Sequence, residues 1–257
     1  MKLKDKVALI TGAGSGIGEA IAKRFVADGA KVCIMGRRRE KLEEVAAALP
    51  PGSVKSCPGD VSNPDDVKRA VEATLDFGGG RIDVLVNCAG VNFPGGVANI
   101  ELDDWYKMIN INLHGPFFTM RAVIPHMIAG GGGSVINIAS IGGLRCLSDR
   151  VGYCTSKAAL IMLTKQAARD YGAQKVRCNA VCPGFVFTPM TQGHFGEFGD
   201  SPHKAFRAVP LKRGAVPDEI SGICSFLASD DASYVTGAVV TVDGGVTIVD
   251  PFEIGLD

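Results

Sequence analysis

The sequence predicts an α/β protein folded as one domain, a parallel sheet with helices on both faces. Three observations predict it. Short apolar runs alternate with amphipathic stretches along almost the whole chain. The first run feeds a glycine-rich turn, Gly12-Ala13-Gly14-Ser15-Gly16-Ile17-Gly18, that opens a helix. No repeat, low-complexity tract or linker divides residues 1–257. With 257 residues, 46% of them hydrophobic, the chain is long enough to bury roughly three quarters of its unfolded surface.

Composition narrows the function. Twenty-seven basic side chains balance 27 acidic ones, which gives no reason to expect nucleic acid or an anionic membrane as partner. No apolar run approaches the ~20 residues that span a bilayer. The start, MKLKDKVALITG, has no cleavable apolar region and runs straight into a strand, so a cytoplasmic location is expected. The eight cysteines, at 33, 57, 88, 146, 154, 178, 182 and 224, form no C-x-x-C pair and have no histidine at metal spacing. They are expected to be reduced thiols in apolar segments, with no metal site. Cys154 is set apart by lying next to Tyr153.

The elements follow in order. Lys6–Thr11 (KVALIT) reads as a strand buried on both faces. Its glycine turn and the helix from Glu19 to Asp28 form a phosphate cradle, with backbone N–H groups and the helix N-terminus facing the anion. Lys31–Met35 is the second strand. A dinucleotide site that prefers NAD places an acid at this strand end, but here Gly36-Arg37-Arg38-Arg39 follows. Guanidinium groups suit a 2′-phosphate, so NADP(H) is favoured, with NAD(H) possible. At least one of these arginines must instead start the solvated helix over 38–49.

Ser53–Cys57 reads as the third strand. Asp60 just beyond it faces two readings, accepting from an adenine amino group or capping the helix that Asn63-Pro64 opens. Ile82–Val86 is the fourth strand, running into the small residues Asn87-Cys88-Ala89-Gly90. Helical signals run from Leu102 to about Ala129, with a break expected at Gly115-Pro116. Just before it lies Asn112, a residue type that in mid-helix usually turns outward; a kink there would free its carbonyl to hold a water.

SVINIAS is a buried fifth strand ending in Ser140, and a loop leads to the helix that carries Tyr153-Cys154-Thr155-Ser156-Lys157. Tyr153 and Lys157, four apart, share one helix face. A phenol normally titrates near pH ~10, and an adjacent ammonium is expected to pull that value down. Ser140 is placed to share a substrate oxygen with Tyr153. Val176–Val181 is the sixth strand, ending at Pro183-Gly184. Thr188–Arg213 has no clean period and reads as a substrate lid. Pro217–Ala228 is helical, Ala238–Asp243 is the last strand, and the apolar tail from Val246 is expected to dock. Ligands of such sheets lie beyond the carboxyl ends of the strands, where all the flagged residues fall.

TGAGSGIG at 11–18, NCAG at 87–90, Asn112, Ser140, YCTSK at 153–157, PGFVFT at 183–188 and VDGG at 242–245 resemble the short-chain dehydrogenase/reductase family over essentially the full length. The resemblance implies a doubly wound, Rossmann-like sheet of seven parallel strands and hydride transfer between a nicotinamide and a secondary alcohol/ketone pair. It implies Tyr153 as general acid/base, Lys157 as the group that lowers its pKa and holds the nicotinamide ribose, Ser140 as the group orienting the substrate oxygen, and Asn112 as holder of a water. Cofactor contacts would come from Gly12, Ser15, Ile17, Gly18, Arg37, Arg38, Asp60, Val61, Asn87, Ala89, Gly90, Tyr153, Lys157, Pro183, Gly184, Val186 and Thr188. The family usually forms homotetramers or homodimers. Cys88 stands where the family usually has a second Asn.

Two rivals remain at this stage: reduction of a 3-oxoacyl thioester on an acyl carrier protein, and a non-catalytic NADP(H)-binding sensor or scaffold. The substrate skeleton is open. Phe93, Phe185, Phe187, Phe195, Phe198 and Phe206 could line an apolar pocket, and Arg145 and Arg150 are either solvated loop charges or receivers of a carboxylate or phosphate.

Overall fold

The computed structural model describes residues 1–192 and 206–249. Seven strands, β1 (Val7–Thr11), β2 (Lys31–Gly36), β3 (Val54–Pro58), β4 (Val84–Asn87), β5 (Gly133–Ile138), β6 (Val176–Pro183) and β7 (Val239–Val242), form one sheet in the order β3-β2-β1-β4-β5-β6-β7. Every pairing is parallel. The helices are α1 (Gly16–Ala27), α2 (Arg39–Ala47), α3 (Pro64–Phe77), α4 (Leu102–Ile109), α5 (Gly115–Ala129), α6 (Val151–Tyr171), the single turn α7 (Pro189–Gln192) and α8 (Pro217–Ala228).

Burial on two faces explains the continuous apolar runs. All five residues of β1 are buried. Ala8, Ile10, Val32 and Ile34 point toward Ile21 and Phe25 of α1 and Ile220 and Leu227 of α8. Leu9, Cys33 and Met35 point the other way, toward Val67 and Val71 of α3 and Val123 and Met127 of α5. The chain runs outward from β1 to β3 and then returns to β4 beside β1. At such a reversal the connections leave on opposite faces, and a crevice opens at the strand ends.

Two local expectations change. Asn63, not Asp60, caps α3: its Oδ1 accepts from the N–H groups of Asp65 and Asp66 at 2.9 and 3.4 Å. Asn63 immediately precedes the helix and so reaches its free N–H groups, while Asp60 Oδ1 is taken by Ser62. Second, there is no break at Gly115-Pro116. A π turn over Asn110–His114 joins α4 to α5 instead. The bulge skips one rung of the hydrogen-bond ladder, which absorbs the donor that Pro116 lacks.

Residues 193–205 of the expected lid and 250–257 of the tail lie outside the described residues. The chain on either side of the 193–205 segment is zipped together: Phe187 N–H donates to the Ala215 carbonyl and Ala215 N–H to that of Phe185, both at 2.9 Å. The tail begins with a 3₁₀ turn over Val246–Ile248, in which Ile248 is exposed rather than docked. On the rim away from the crevice, Gly79, Gly80 and Gly131 have nothing within 4 Å of where a side chain would stand.

Candidate active site

The glycine turn is shaped by close approach. Gly12 has φ +69°, and a Cβ there would lie 2.6 Å from the Ala89 nitrogen. A Cβ on Gly18 would lie 2.4 Å from the Gly12 oxygen, so α1 starts directly against the turn. The N–H groups of Gly12 and Ala13 hang the turn from the Met35 carbonyl of β2 (2.8 and 3.3 Å). Thr11 Oγ1 takes the N–H groups of Cys88 and Ala89 (3.1 and 3.3 Å) and seats the β4 exit against it. What remains is a cradle of backbone N–H groups at a helix N-terminus, with room for an anion and no side chain in the way.

This cradle opens one end of a crevice of about 300 Å³ along the strand ends. Of the residues expected to hold the cofactor, all but Asn87 line it. At the outer end, Arg38 Nη2 donates to Ser15 Oγ (3.1 Å), and Arg37 Nη1 stands 4.0 Å from Asp60 Oδ2. Asp60 Oδ1 is occupied by the N–H and hydroxyl of Ser62 (2.9 and 2.7 Å). Arg39 pairs along the helix with Glu43 at 3.8 Å. The triplet therefore divides: Arg39 belongs to the solvated helix, while Arg37 and Arg38 border the crevice.

Asn87 corrects an expectation. Its amide is 2% exposed and lies behind the crevice, donating to Asn137 Oδ1 (2.8 Å) and accepting from Thr119 (2.6 Å). Asn137 continues to Thr164 at 2.8 Å. This polar ladder ties β4 and β5 to α5 and α6, so the side chain serves the scaffold because its polar atoms are already taken. An Asn in the middle of the apolar run SVINIAS was the only trace of it in the sequence.

Asn112 also departs from expectation: it is fully buried and turns inward. Its Oδ1 accepts from Val91 N–H, and its Nδ2 donates to the Val91 carbonyl, each at 2.9 Å; Nδ2 also reaches Ser156 Oγ at 3.1 Å. The π turn swings this residue toward the loop after β4 and fixes that loop.

The floor of the crevice holds Ser140, Tyr153 and Lys157. Ser140 Oγ accepts from Gly142 N–H (3.0 Å) and stands beside the Tyr153 phenol, near enough to draw its pKa down. Lys157, 5% exposed, has its Nζ 5.7 Å from the Tyr153 ring centroid and donates to the Ile138 carbonyl at 2.8 Å. The expected lowering of the phenol is reversed in the protein alone. Burial pushes the Tyr153 pKa up, the neighbouring Ser140 hydroxyl draws it partly back, and the thiols of Cys154, Cys182 and Cys88 add to the rise. Burial likewise brings Lys157 down to about 8, which still leaves it mostly protonated at neutral pH. Desolvation outweighs attraction at this depth. Cys88, unremarked by the sequence except as a departure, lines the crevice, with burial pushing its thiol to about 12.

The other candidates lie apart. Phe185, Phe187 and Phe206 form edge-to-face pairs with centroids 5.2–5.8 Å apart and pack the feet of the 188–213 segment rather than the crevice wall. Phe93 lies under Lys107. Phe195 and Phe198 fall outside the described residues. Arg145 donates to the Val246 carbonyl and Arg150 to that of Asp149.

Comparison with known proteins agrees with this geometry. The family model described as enoyl-(acyl carrier protein) reductase matches residues 12–247. The chain is similar to meso-2,3-butanediol dehydrogenase of Serratia marcescens, at 40% identity over 97% of this chain and 98% of that protein. It is 38% identical to the 3-oxoacyl-[acyl-carrier-protein] reductase FabG of Thermotoga maritima, over 96% and 100%. The crystal structure of levodione reductase superposes with a TM-score of 0.91 at 35% identity, covering 96% of this chain and 99% of that one. Among the described residues no helix is long and apolar enough to cross a membrane. With its seven-stranded parallel sheet, its glycine cradle and relatives of this similarity, the chain belongs to the short-chain dehydrogenase/reductase family, as an oxidoreductase acting on CH–OH groups.

Proposed function

We propose that this enzyme interconverts a secondary alcohol and its ketone with NADP(H), using Tyr153 as the general acid/base. The observation that carries the reading is the convergence of the Ser140 hydroxyl, the Tyr153 phenol and buried Lys157 in one crevice. A bound nicotinamide supplies or accepts the hydride. The glycine cradle and α1 N-terminus would hold its pyrophosphate, Arg37 and Arg38 a 2′-phosphate, Lys157 the ribose hydroxyls, and Val186 and Thr188 the carboxamide.

The remaining work falls to side chains. In reduction, charge develops on the carbonyl oxygen, and the Ser140 hydroxyl and Tyr153 phenol donate to it there. Tyr153 then gives its proton to the new alkoxide and is recharged from the Lys157 side. Oxidation runs the same groups backwards, with the phenolate as base. Asn112 holds the Val91 loop in place and, by its π turn, offers a route for the water that refills Lys157. All three reacting groups are present together, which argues against a non-catalytic sensor.

The names of the relatives favour a small secondary alcohol or diol as substrate. The similarity to the Thermotoga maritima reductase supports a second reading, a 3-oxoacyl thioester. A cytoplasmic homotetramer or homodimer is part of the proposal. Apolar side chains left exposed on α4, α5 and α6, namely Tyr106, Phe117 and Met162, support subunit association. The deciding experiment is oxidation of NADPH and NADH, in parallel, with simple ketones, vicinal hydroxyketones and an acetoacetyl thioester. Turnover of none of these with either cofactor sinks the reading.

A further inference from the structure

Cys33 and Cys57 are 24 residues apart in sequence, yet the strand order makes them neighbours. Cys33 lies on β2, level with Lys55, and Cys57 on β3, level with Met35. Both side chains leave the sheet on the face covered by α3, and they lean toward one another across the diagonal of the ladder. Their sulfurs are 2.8 Å apart. Both thiols are free, with Cys33 fully buried and Cys57 at 7% exposure.

We infer that Cys33 and Cys57 are a modification site, a dithiol that a peroxide converts to a reversible disulfide. A disulfide needs its sulfurs at about 2.05 Å, so they must approach by less than about 1 Å. β3 is the edge strand of the sheet; with no strand paired on its outer side among the described residues, it can yield to this approach. One sulfur attacks a peroxide oxygen and becomes a sulfenic acid, and the first water leaves. The second sulfur displaces the sulfenic oxygen as a second water, and the S–S bond forms. Two thiols are oxidised and one hydrogen peroxide is reduced to two waters. A dithiol reductant reverses the exchange.

The site sits under the cofactor's proposed adenosine end. Two residues beyond Met35 and Cys57, the strands release Arg37 and Gly59, and Gly59 N–H is bonded to the Gly36 carbonyl at 2.9 Å. Arg37, Arg38, Gly59 and Asp60 all line the crevice. Drawing β3 toward β2 shifts Asp60 against Arg37, so the disulfide is expected to weaken cofactor binding; this second step rests on the reading given above. The contact with Cys33, together with burial, holds the Cys57 proton in place.

The test uses the intact protein, treated with hydrogen peroxide, alkylated in denaturant and digested with trypsin without reductant. The expected result is a joined species of peptides 32–37 and 56–68, two hydrogens lighter than their sum and absent after dithiothreitol. It should also be absent from the Cys57→Ser variant. Cys33 and Cys57 recovered singly alkylated, while exposed Cys146 is oxidised, overturns the site. In parallel, the KM for NADPH is expected to rise severalfold on oxidation and return on reduction. A joined species with unchanged KM overturns the coupling to the cofactor but leaves the disulfide standing. Peptide mapping needs no turnover, so it stands apart from the proposed activity.

Discussion

The ammonium of Lys157 donates its hydrogen bond to the main-chain carbonyl of Ile138, at 2.8 Å, and not to the phenol of Tyr153. The charge is thereby pinned to the end of β5 and buried, which explains a pKa near 8 in place of 10.5. Burying an ammonium this deeply costs about 3 kcal/mol by the linkage of pKa to stability. The unfolded chain binds the extra proton between pH 8 and 10.5, so the cost is full below that window and fades as pH rises through it. Lys157→Met is therefore expected to melt roughly 6–12 °C higher than wild type at pH 7, at about 2–4 °C per kcal/mol. The gain should shrink toward pH 10.5. Calorimetry across that range checks it, and a gain independent of pH sinks the argument.

Ser140 is the group that lowers the Tyr153 pKa in the protein alone. Removing it must raise a phenol that burial has already raised. For alcohol oxidation, which needs the phenolate, the rising limb of the pH–rate profile in Ser140→Ala is expected to move to higher pH. An unmoved limb in the kcat/KM profile would assign that titration to another group.

Tyr153→Phe removes one hydroxyl and leaves the cradle intact. Turnover is expected to fall by about 10²–10⁴, while the Kd for NADPH, read from nucleotide fluorescence, stays within a factor of a few. Retained turnover would refute the proton-transfer role.

Arg38→Ala deletes a guanidinium that, among the described residues, is bonded to the Ser15 hydroxyl at the crevice edge. A charge-assisted hydrogen bond to a phosphate is worth about 1.5–3 kcal/mol. The kcat/KM with NADPH should thus drop by roughly 10- to 100-fold, with that for NADH little changed. Equal losses with both cofactors would place Arg38 outside 2′-phosphate recognition.

Asn112→Ala strips the partner from both polar groups of the Val91 backbone and removes one of the two bonds of Ser156, whose hydroxyl still donates to the Tyr153 carbonyl. Each buried group left unpaired costs about 1–3 kcal/mol. A lowered urea midpoint with unchanged slope is expected, together with reduced turnover.

Much of this was legible in the sequence because the signals were local. Burial on two faces writes itself as apolar runs such as VALIT, and the Tyr153–Lys157 spacing is a helix repeat. What escaped depended on tertiary placement. The π turn at Asn110–His114 adds one residue per turn and leaves no compositional trace. The Asn87–Asn137 ladder and the Cys33–Cys57 contact required the strand order before either pair could be seen. The direction of the Tyr153 shift followed from depth, which neighbour spacing does not report. The divided arginine triplet needed the helix start at Arg39.

The unobstructed glycines at 79, 80 and 131 sit at the far rim from every group that touches chemistry. Those turns are natural insertion points: an affinity handle or a reporter domain spliced in beside these positive-φ glycines, with the glycines kept, would ride on the catalyst without entering its reaction space. Engineering of this enzyme can therefore treat the molecule as two hemispheres, one to be left alone and one free to be rewritten.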